Sequence, residues 1–168
     1  MCYLDPVDSP KLRPYPNWKA HDKQGPNPPD IVSPSRARAD TCGRLWVLDT
    51  GLVNILSADT TSAVNPRFVV YNLTTDEIIS SYTIPEGQFD KVSSFFGNIA
   101  VEENNCTDSF AYLADFGKPA LVVYDLAKNR SWQVNHNFFN VDPLAGNLNV
   151  SGEGRKDWSR ALRALQTF

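Results

Sequence analysis

Residues 68–73 read Phe-Val-Val-Tyr-Asn-Leu, and residues 121–126 read Leu-Val-Val-Tyr-Asp-Leu, so four of six positions are identical. Each stretch is a short apolar run that ends at a polar turn. A further run rich in β-forming residues follows each turn, at residues 78–84 and 131–134. Short apolar runs bounded by turn residues predict strands. The two strand pairs therefore indicate a repeated β unit.

A second pair of matching stretches precedes the first pair in the same order. Residues 45–51 (Leu-Trp-Val-Leu-Asp-Thr-Gly) and 111–117 (Ala-Tyr-Leu-Ala-Asp-Phe-Gly) both place an aromatic residue and an apolar pair before Asp-x-Gly. A weaker strand is predicted over residues 95–101. The alternative is unrelated strands that share Val and Tyr through β-propensity, but the common order weakens it. An imperfect period of several short strands is typical of stacked or radial β-repeats, so we predict an all-β fold.

Composition divides the chain into three parts. Residues 1–40 form an irregular approach segment, because its prolines block helices and central strands; they include Pro14, Pro16, Pro26, Pro28, Pro29 and Pro34. Residues 41–150 hold the two β units, each predicted as one propeller blade. Residues 151–168 form a charged tail in which 161–165 predict a short amphipathic helix. Two blades leave open sheet edges, so the fold is predicted to be part of a larger propeller.

Charge and sequons point to the extracellular space. The net charge of −3 argues against a nucleic-acid partner, and no apolar run approaches the ~20 residues of a membrane helix. Four Asn-x-Ser/Thr sequons, where chance gives one or two, predict N-glycosylation in a secreted chain; they begin at Asn72, Asn105, Asn129 and Asn149. Residues 1–6 lack the basic and apolar regions of a signal peptide, so we expect the leader to lie upstream.

Three cysteines, Cys2, Cys42 and Cys106, leave at least one unpaired. Their spacing fits neither a zinc site nor a thioredoxin-like motif, and no metal site is predicted. A disulfide between Cys42 and Cys106 is possible, although spacing alone does not establish its geometry.

Four blocks carry a resemblance to the yellow / major royal jelly protein family. They are residues 12–18 (Leu-Arg-Pro-Tyr-Pro-Asn-Trp), 42–51 (Cys-Gly-Arg-Leu-Trp-Val-Leu-Asp-Thr-Gly), 111–132, and 136–143 with His-Asn-Phe-Phe and Asp-Pro. The blocks occur in family order. The resemblance implies a secreted six-bladed β-propeller more than twice as long as this chain, which would hold about two blades.

Two features depart from the family pattern. The resemblance implies that Cys42 and Cys106 each pair with another cysteine, but residues 19–35 and 52–66 contain none. Those two bridges therefore cannot form. In addition, the family continues with an apolar, Gly-rich stretch where residues 151–160 are charged, so we interpret the tail as a product of splicing or of the gene model.

Three residues are candidates for lining a ligand channel. Asp49 and Asp115 stand at equivalent points of the repeat, where carboxylates at a channel mouth would attract a cationic ligand. The alternative is that each caps a turn. His136 follows a strand and is the third candidate, with a structural or exposed role as its alternative. No nucleophile elbow, P-loop or His-Glu-x-x-His motif is present.

The resemblance implies the function class. It favours a secreted, non-enzymatic or weakly catalytic protein that binds small aromatic or biogenic amines in the central channel, with no cofactor. One alternative is an enzyme of pigment formation that converts dopachrome, for which Asp49, Asp115 and His136 would be the proton acceptors. A nutritive secreted protein is the other.

Overall fold

The computed structural model describes residues 2–4, 12–22, 24, 29–55, 59–140, 148–150 and 153–155. Within them the fold is all-β, as predicted, and two 3₁₀ turns at Lys19–His21 and Asn137–Phe139 interrupt the strands. The strands are β1 (Cys2–Leu4), β2 (Leu12–Pro14), β3 (Pro34–Ala39), β4 (Arg44–Asp49), β5 (Leu52–Val53), β6 (Thr61–Ser62), β7 (Arg67–Asn72), β8 (Ile78–Thr83), β9 (Phe96–Asn105), β10 (Asp108–Asp115), β11 (Ala120–Asp125), β12 (Arg130–Val134), β13 (Leu148–Val150) and β14 (Glu153–Arg155).

Two four-stranded antiparallel sheets form the body of the structure. The first has the order β3-β4-β7-β8 and the second the order β9-β10-β11-β12. In each sheet neighbouring strands follow one another along the chain, apart from the small β5–β6 hairpin. This four-stranded meander is the blade of a β-propeller. The pairs β1–β2 and β13–β14 are separate two-stranded sheets.

The sequence repeat is a structural repeat in register. Phe68 of β7 pairs with Leu48, one residue before Asp49. Leu121 of β11 pairs in the same way with Ala114, one residue before Asp115. Each blade therefore contains three predicted strands, which are its second, third and fourth. They were predicted at 45–51, 68–73 and 78–84 in the first blade and at 111–117, 121–126 and 131–134 in the second.

The first strand of each blade differs from the sequence prediction, since β3 was not predicted and β9 is longer than predicted. β3 covers Pro34–Ala39, so the first blade begins inside the segment that we had assigned to residues 1–40. β3 is an edge strand paired only with β4, where proline is tolerated because one side needs no N–H donor. Likewise, β9 extends to Asn105, past the predicted end at residue 101. The predicted helix at 161–165 lies outside the described residues.

The two blades pack face to face through an apolar core. The first blade contributes Trp46, Leu48, Phe68 and Val70, and the second contributes Ala111, Leu113, Val122 and Tyr124. The Tyr124 ring stacks on Phe68 and on Tyr82, with ring centroids 4.7 Å apart in both cases. Full burial of such side chains contributes roughly 1.5–3 kcal/mol each to folding.

The opposite face of the first blade is covered by the approach segment. Val47, Val69 and Tyr71 point to this side, since neighbouring residues of a strand face opposite ways. Ile31 is buried against them, and Tyr15 packs edge-on against Tyr71 with ring centroids 5.8 Å apart. The proline-rich segment is thus part of the packed structure around the first blade.

The connections divide the two blades into two ends. We call the end with the β3–β4, β7–β8, β9–β10 and β11–β12 connections the turn end. The loop end carries the β4–β7, β8–β9 and β10–β11 connections and the segment after β12, and the first two of these are the longest connections within the two blades. The ends of both blades coincide, because Cys42 in the β3–β4 turn is bonded to Cys106 in the β9–β10 turn. Among the described residues no helix has the length and apolar character needed to span a bilayer.

Candidate functional site at the loop end

Asp49 ends β4 at the loop end and is fully buried. Its carboxylate accepts hydrogen bonds from the backbone N–H groups of Val32 (2.9 Å), Ser33 (2.7 Å) and Gly51 (3.1 Å). It also forms an ion pair with Arg67, whose Nη2 lies 2.9 Å away. The carboxylate therefore ties the end of β4 to the backbone that leads into β3.

Asp115 ends β10 and makes the equivalent contacts in the second blade. Its carboxylate accepts hydrogen bonds from the backbone N–H groups of Phe95 (2.9 Å), Gly117 (3.0 Å) and Lys118 (3.1 Å). The Ser94 hydroxyl donates to its second oxygen. Asp115 is 4% exposed, so it too organises the chain around the entry to the first strand of its blade.

The sequence left two roles open for these aspartates, which are capping a turn and contacting a ligand. The hydrogen bonds above give both carboxylates the turn-capping role. Contact of either carboxylate with a ligand stays a prediction, and in this structure backbone, Ser94 and Arg67 donors already occupy them. A buried, fully bonded carboxylate is better suited to holding loops in place than to exchanging protons with a ligand.

His136 lies in the exposed segment after β12, also at the loop end. Its Nδ1 accepts a hydrogen bond from the Phe138 backbone N–H at 3.2 Å. The two rings stack with centroids 4.9 Å apart, and Phe138 is 90% exposed. The structure thus brings all three candidates to one end of the blades, with His136 alone among them exposed.

A recess opens at the loop end between the β4–β7 loop and the β8–β9 loop. It is a narrow cleft with room for about one water molecule, and it is lined by Thr50, Leu52, Ser62, Pro66, Phe89, Asp90, Lys91, Ser94 and Phe96. Phe89 and Asp90 were not among the site residues predicted from the sequence. The available signal was the long connection between the two blades, because binding residues concentrate on loops carried by a rigid scaffold.

Asp90 places a negative charge at this recess. The backbone N–H groups of Ser93 and Val92 donate to its carboxylate at 2.8 and 2.9 Å and hold the pKa of Asp90 below its ordinary value. Its backbone N–H donates to the Ser94 hydroxyl oxygen at 2.7 Å, and that hydroxyl donates to Asp115. Asp90 is therefore ionised at neutral pH, and its position is fixed through Ser94 by Asp115.

The turn end is built for rigidity. The disulfide between Cys42 and Cys106 spans the two blades with Cα atoms 5.5 Å apart. Next to it, Arg44 donates to the Cys106 carbonyl oxygen and to the Ser109 hydroxyl, both at 2.8 Å. Each cysteine without its family partner is thus bonded to the other, and the two blades are joined covalently.

One group of metal-ligand side chains occurs in the described part of the chain, at the turn end. It consists of Asp40, Cys42 and Glu103. The Cys42 sulfur is consumed in the disulfide, and the Asp40 carboxylate is paired with Arg44 and with the Trp46 indole N–H. These residues have other bonding roles, so the cluster does not fit a metal site.

Two adjacent four-stranded blades, with long loops gathered at one end, define this chain as part of a β-propeller. The family model described as major royal jelly protein matches residues 32–162. The chain is 41% identical over 149 residues to the dopaminechrome tautomerase of Drosophila melanogaster, and 42% identical over 147 residues to protein yellow of the same species. It therefore belongs to the yellow / major royal jelly protein family. Each match covers 86% of this chain but only 31% and 26% of the two relatives, so the chain spans less than a third of their length.

Proposed function

We propose that this chain forms part of an extracellular propeller that binds a small, catechol-derived amine at the loop end of its blades. The observation that carries the proposal is the ionised Asp90 beside the mouth of this narrow recess, over which an aromatic amine would lie. Small-ligand sites typically combine an apolar lining with a few placed polar groups.

The lining of the recess supports a ligand with an aromatic ring and a cationic amine. Leu52 is the half-buried apolar side chain at its mouth, and Pro66, Phe89 and Phe96 form its buried floor. The Asp90 carboxylate would pair with the ammonium group of the ligand. Lys91 is held by Glu86, with Nζ 2.5 Å from the carboxylate, and Lys118 is near enough for its charge to contribute to the low pKa of Asp90.

An extracellular location is supported by two independent features. The Cys42–Cys106 bridge is of a kind that persists in oxidising compartments and is rare in the cytosol. The four sequons can be N-glycosylated only in a chain that enters the secretory pathway. Immunoblots of medium and cell fractions from the native tissue test this, and retention of the full protein in the cytosol would contradict it.

The binding proposal is tested by titrating dopamine into the full protein that carries these residues, using calorimetry. Asp90→Asn keeps an oxygen for the Val92 and Ser93 N–H groups and removes only the charge, so we expect affinity to fall roughly tenfold or more, about 1.4 kcal/mol per tenfold step. Asp108→Asn makes the same charge change at the turn end and should leave affinity unchanged. Equal affinities for the two variants and the parent would place the amine elsewhere.

Conversion of an aminochrome is a second candidate, favoured by the 41% identity to a relative named dopaminechrome tautomerase. A tautomerase moves a proton between two atoms of one molecule, which requires a group that accepts a proton and returns it. His136 is the exposed candidate for that group at the loop end. Loss of dopaminechrome colour should then exceed that of a heat-treated control and should fall with His136→Gln but not with His21→Gln. Saturable binding without colour loss would favour the binder alone.

A further inference from the structure

Three of the four sequons begin at the turn end of the blades. Asn72 is the last residue of β7, Asn105 is the last residue of β9, and Asn129 lies in the turn before β12. They fall at one end because alternate connections of an antiparallel meander lie at the same end of a sheet. The ends of the two blades coincide through the Cys42–Cys106 bond.

The side-chain oxygens of Asn72 and Asn105 are bound to their own turns. Asn72 Oδ1 accepts hydrogen bonds from the backbone N–H groups of Thr74 (2.8 Å) and Thr75 (3.3 Å). Asn105 Oδ1 accepts from the Thr107 backbone N–H at 2.9 Å. Both amides therefore hold a turn through the oxygen, which leaves the nitrogen uncommitted.

The side-chain oxygen of Asn129 is also hydrogen-bonded, but its donor is a tyrosine side chain. It has a positive φ of 46°, and its Oδ1 accepts a hydrogen bond from the buried Tyr124 hydroxyl at 2.9 Å. Asn129 and Asn105 are exposed, and Asn72 is half-buried. Within the described part of the chain, the amide nitrogens of the three residues donate no hydrogen bond.

This arrangement permits a sugar on each nitrogen without loss of the turn. N-glycosylation transfers an oligosaccharide from a lipid pyrophosphate donor to the amide. The bond from sugar C1 to Nδ2 forms, the bond from C1 to the phosphate oxygen breaks, Nδ2 loses one proton and the lipid pyrophosphate leaves. The amide oxygen does not take part, so every hydrogen bond described above survives.

We propose that Asn72, Asn105 and Asn129 carry N-linked oligosaccharides, which cover the turn end and leave the loop end open to ligands. The inference rests on the extracellular location in the proposed function. Asn149 has no described side chain, so its glycosylation stays a prediction from the sequence alone.

The test is to express the full 168-residue chain behind a supplied secretion leader in insect cells and to map its glycans. Treatment of the secreted protein with a glycan-removing amidase in ¹⁸O water converts each occupied asparagine to labelled aspartate, which peptide mass spectrometry locates. We expect label at all three residues, and unlabelled asparagine at two or more of them would overturn the proposal. The supplied leader makes this outcome independent of where the natural protein resides.

Matched variants keep the result tied to the geometry. Asn→Asp at each position retains the oxygen that holds the turn and removes the acceptor nitrogen. We expect each single variant to lose one glycan while its secretion stays close to that of the parent. Because the amidase turns every occupied asparagine into aspartate, melting temperatures are compared between the parent and the variants made without glycans in the bacterial periplasm, where they should be close. A large loss of melting temperature in these unglycosylated variants would show that the nitrogens are structural and would overturn the proposal.

Discussion

Asp49 and Asp115 make equivalent contacts in the two blades: each accepts a hydrogen bond from the glycine two residues later and from the backbone that enters its blade. The glycine contacts are 3.1 and 3.0 Å, and the entry contacts, from Ser33 and Phe95, are 2.7 and 2.9 Å. The Asp-x-Gly repeat is therefore a latch that fixes the loop end of each blade to its own first strand.

The two latches should differ in strength, because only Asp49 has an arginine partner. Asp49→Asn leaves the largely buried Arg67 without its counter-charge, and breaking such a pair typically costs about 3–5 kcal/mol. Asp115→Asn weakens hydrogen bonds alone, for which we expect a loss of about 1–3 kcal/mol. Urea unfolding measures both losses, with Asp108→Asn, at a half-buried carboxylate that accepts from the Asn104 amide, as control. Equal losses at Asp49 and Asp115 would contradict the assigned role of Arg67.

The glycine of the latch is needed for close packing as well as for its backbone conformation. Gly51 has a φ of +67°, and a Cβ there would lie 2.1 Å from the Val64 carbonyl oxygen. Gly43 has a similar φ of +71° with nothing within 4 Å of such a Cβ. Gly43→Ala should therefore cost only the left-handed penalty of about 1–2 kcal/mol.

Gly51→Ala should cost clearly more than Gly43→Ala, since the alanine must also push back the β6–β7 segment. The difference between the two variants in urea unfolding measures the close approach alone. If both variants lost the same stability, the contact with Val64 would not constrain residue 51. Gly117 faces a similar limit, with a Cβ position 1.4 Å from the Ser93 carbonyl oxygen.

The blades were predictable because their strands form short apolar runs and pair with strands that are near in sequence. Apolar runs such as 68–73 and 121–126 pair with their neighbours along the chain, so their pattern alone defines the meander. β3 was not predicted because Pro34, Arg36 and Arg38 interrupt the apolar pattern of a strand, which an edge strand with only one partner tolerates. In an edge strand the burial signal is weak, and sequence patterns depend on burial.

The loop-end recess was beyond sequence reasoning for a different reason. Thr50 and Pro66 come from the β4–β7 loop of one blade, Phe89 comes from the connection to the next blade, and Phe96 begins β9. Their meeting depends on how the two sheets face each other, which no local pattern encodes. The same holds for Cys42 and Cys106, which are 64 residues apart and meet only once the blades have packed.

The disulfide should stabilise the packed pair of blades. Closing a loop of 64 residues restricts the unfolded chain, and bridges of this kind typically contribute about 2–4 kcal/mol. We expect a loss of that size for Cys42→Ser/Cys106→Ser, measured by urea unfolding in a Cys2→Ser background to prevent exchange with the third thiol. The same background should lose stability in reductant, and the double variant should not respond. Unchanged stability in reductant would mean that the bridge does not form in solution.

Asp40 at the turn end should make this stability depend on pH. Burial by itself raises its pKa, but hydrogen bonds from Trp46 and Arg44 and the Arg44 charge outweigh burial and hold the pKa of Asp40 below its ordinary value. A carboxyl whose pKa falls on folding adds stability above its unfolded pKa, about 3.9, and loses it as the pH drops through the folded value.

Asp40→Asn removes the charge and keeps an oxygen for the Trp46 indole N–H, but its NH2 group replaces the oxygen that accepts from the Cys42 and Arg44 backbone N–H groups. That loss does not depend on pH, so the charge shows in the pH-dependent part of the difference. We expect the variant to be less stable than the parent at pH 6, where the Arg44–Asp40 pair is intact. The difference in unfolding free energy should shrink as the pH is lowered from 4 towards 2, since the parent then loses the same charge. Urea unfolding across that range, with Asp108→Asn at a half-buried carboxylate as the control, measures it. A difference that stays constant with pH would show that the Asp40 charge does not stabilise the turn end.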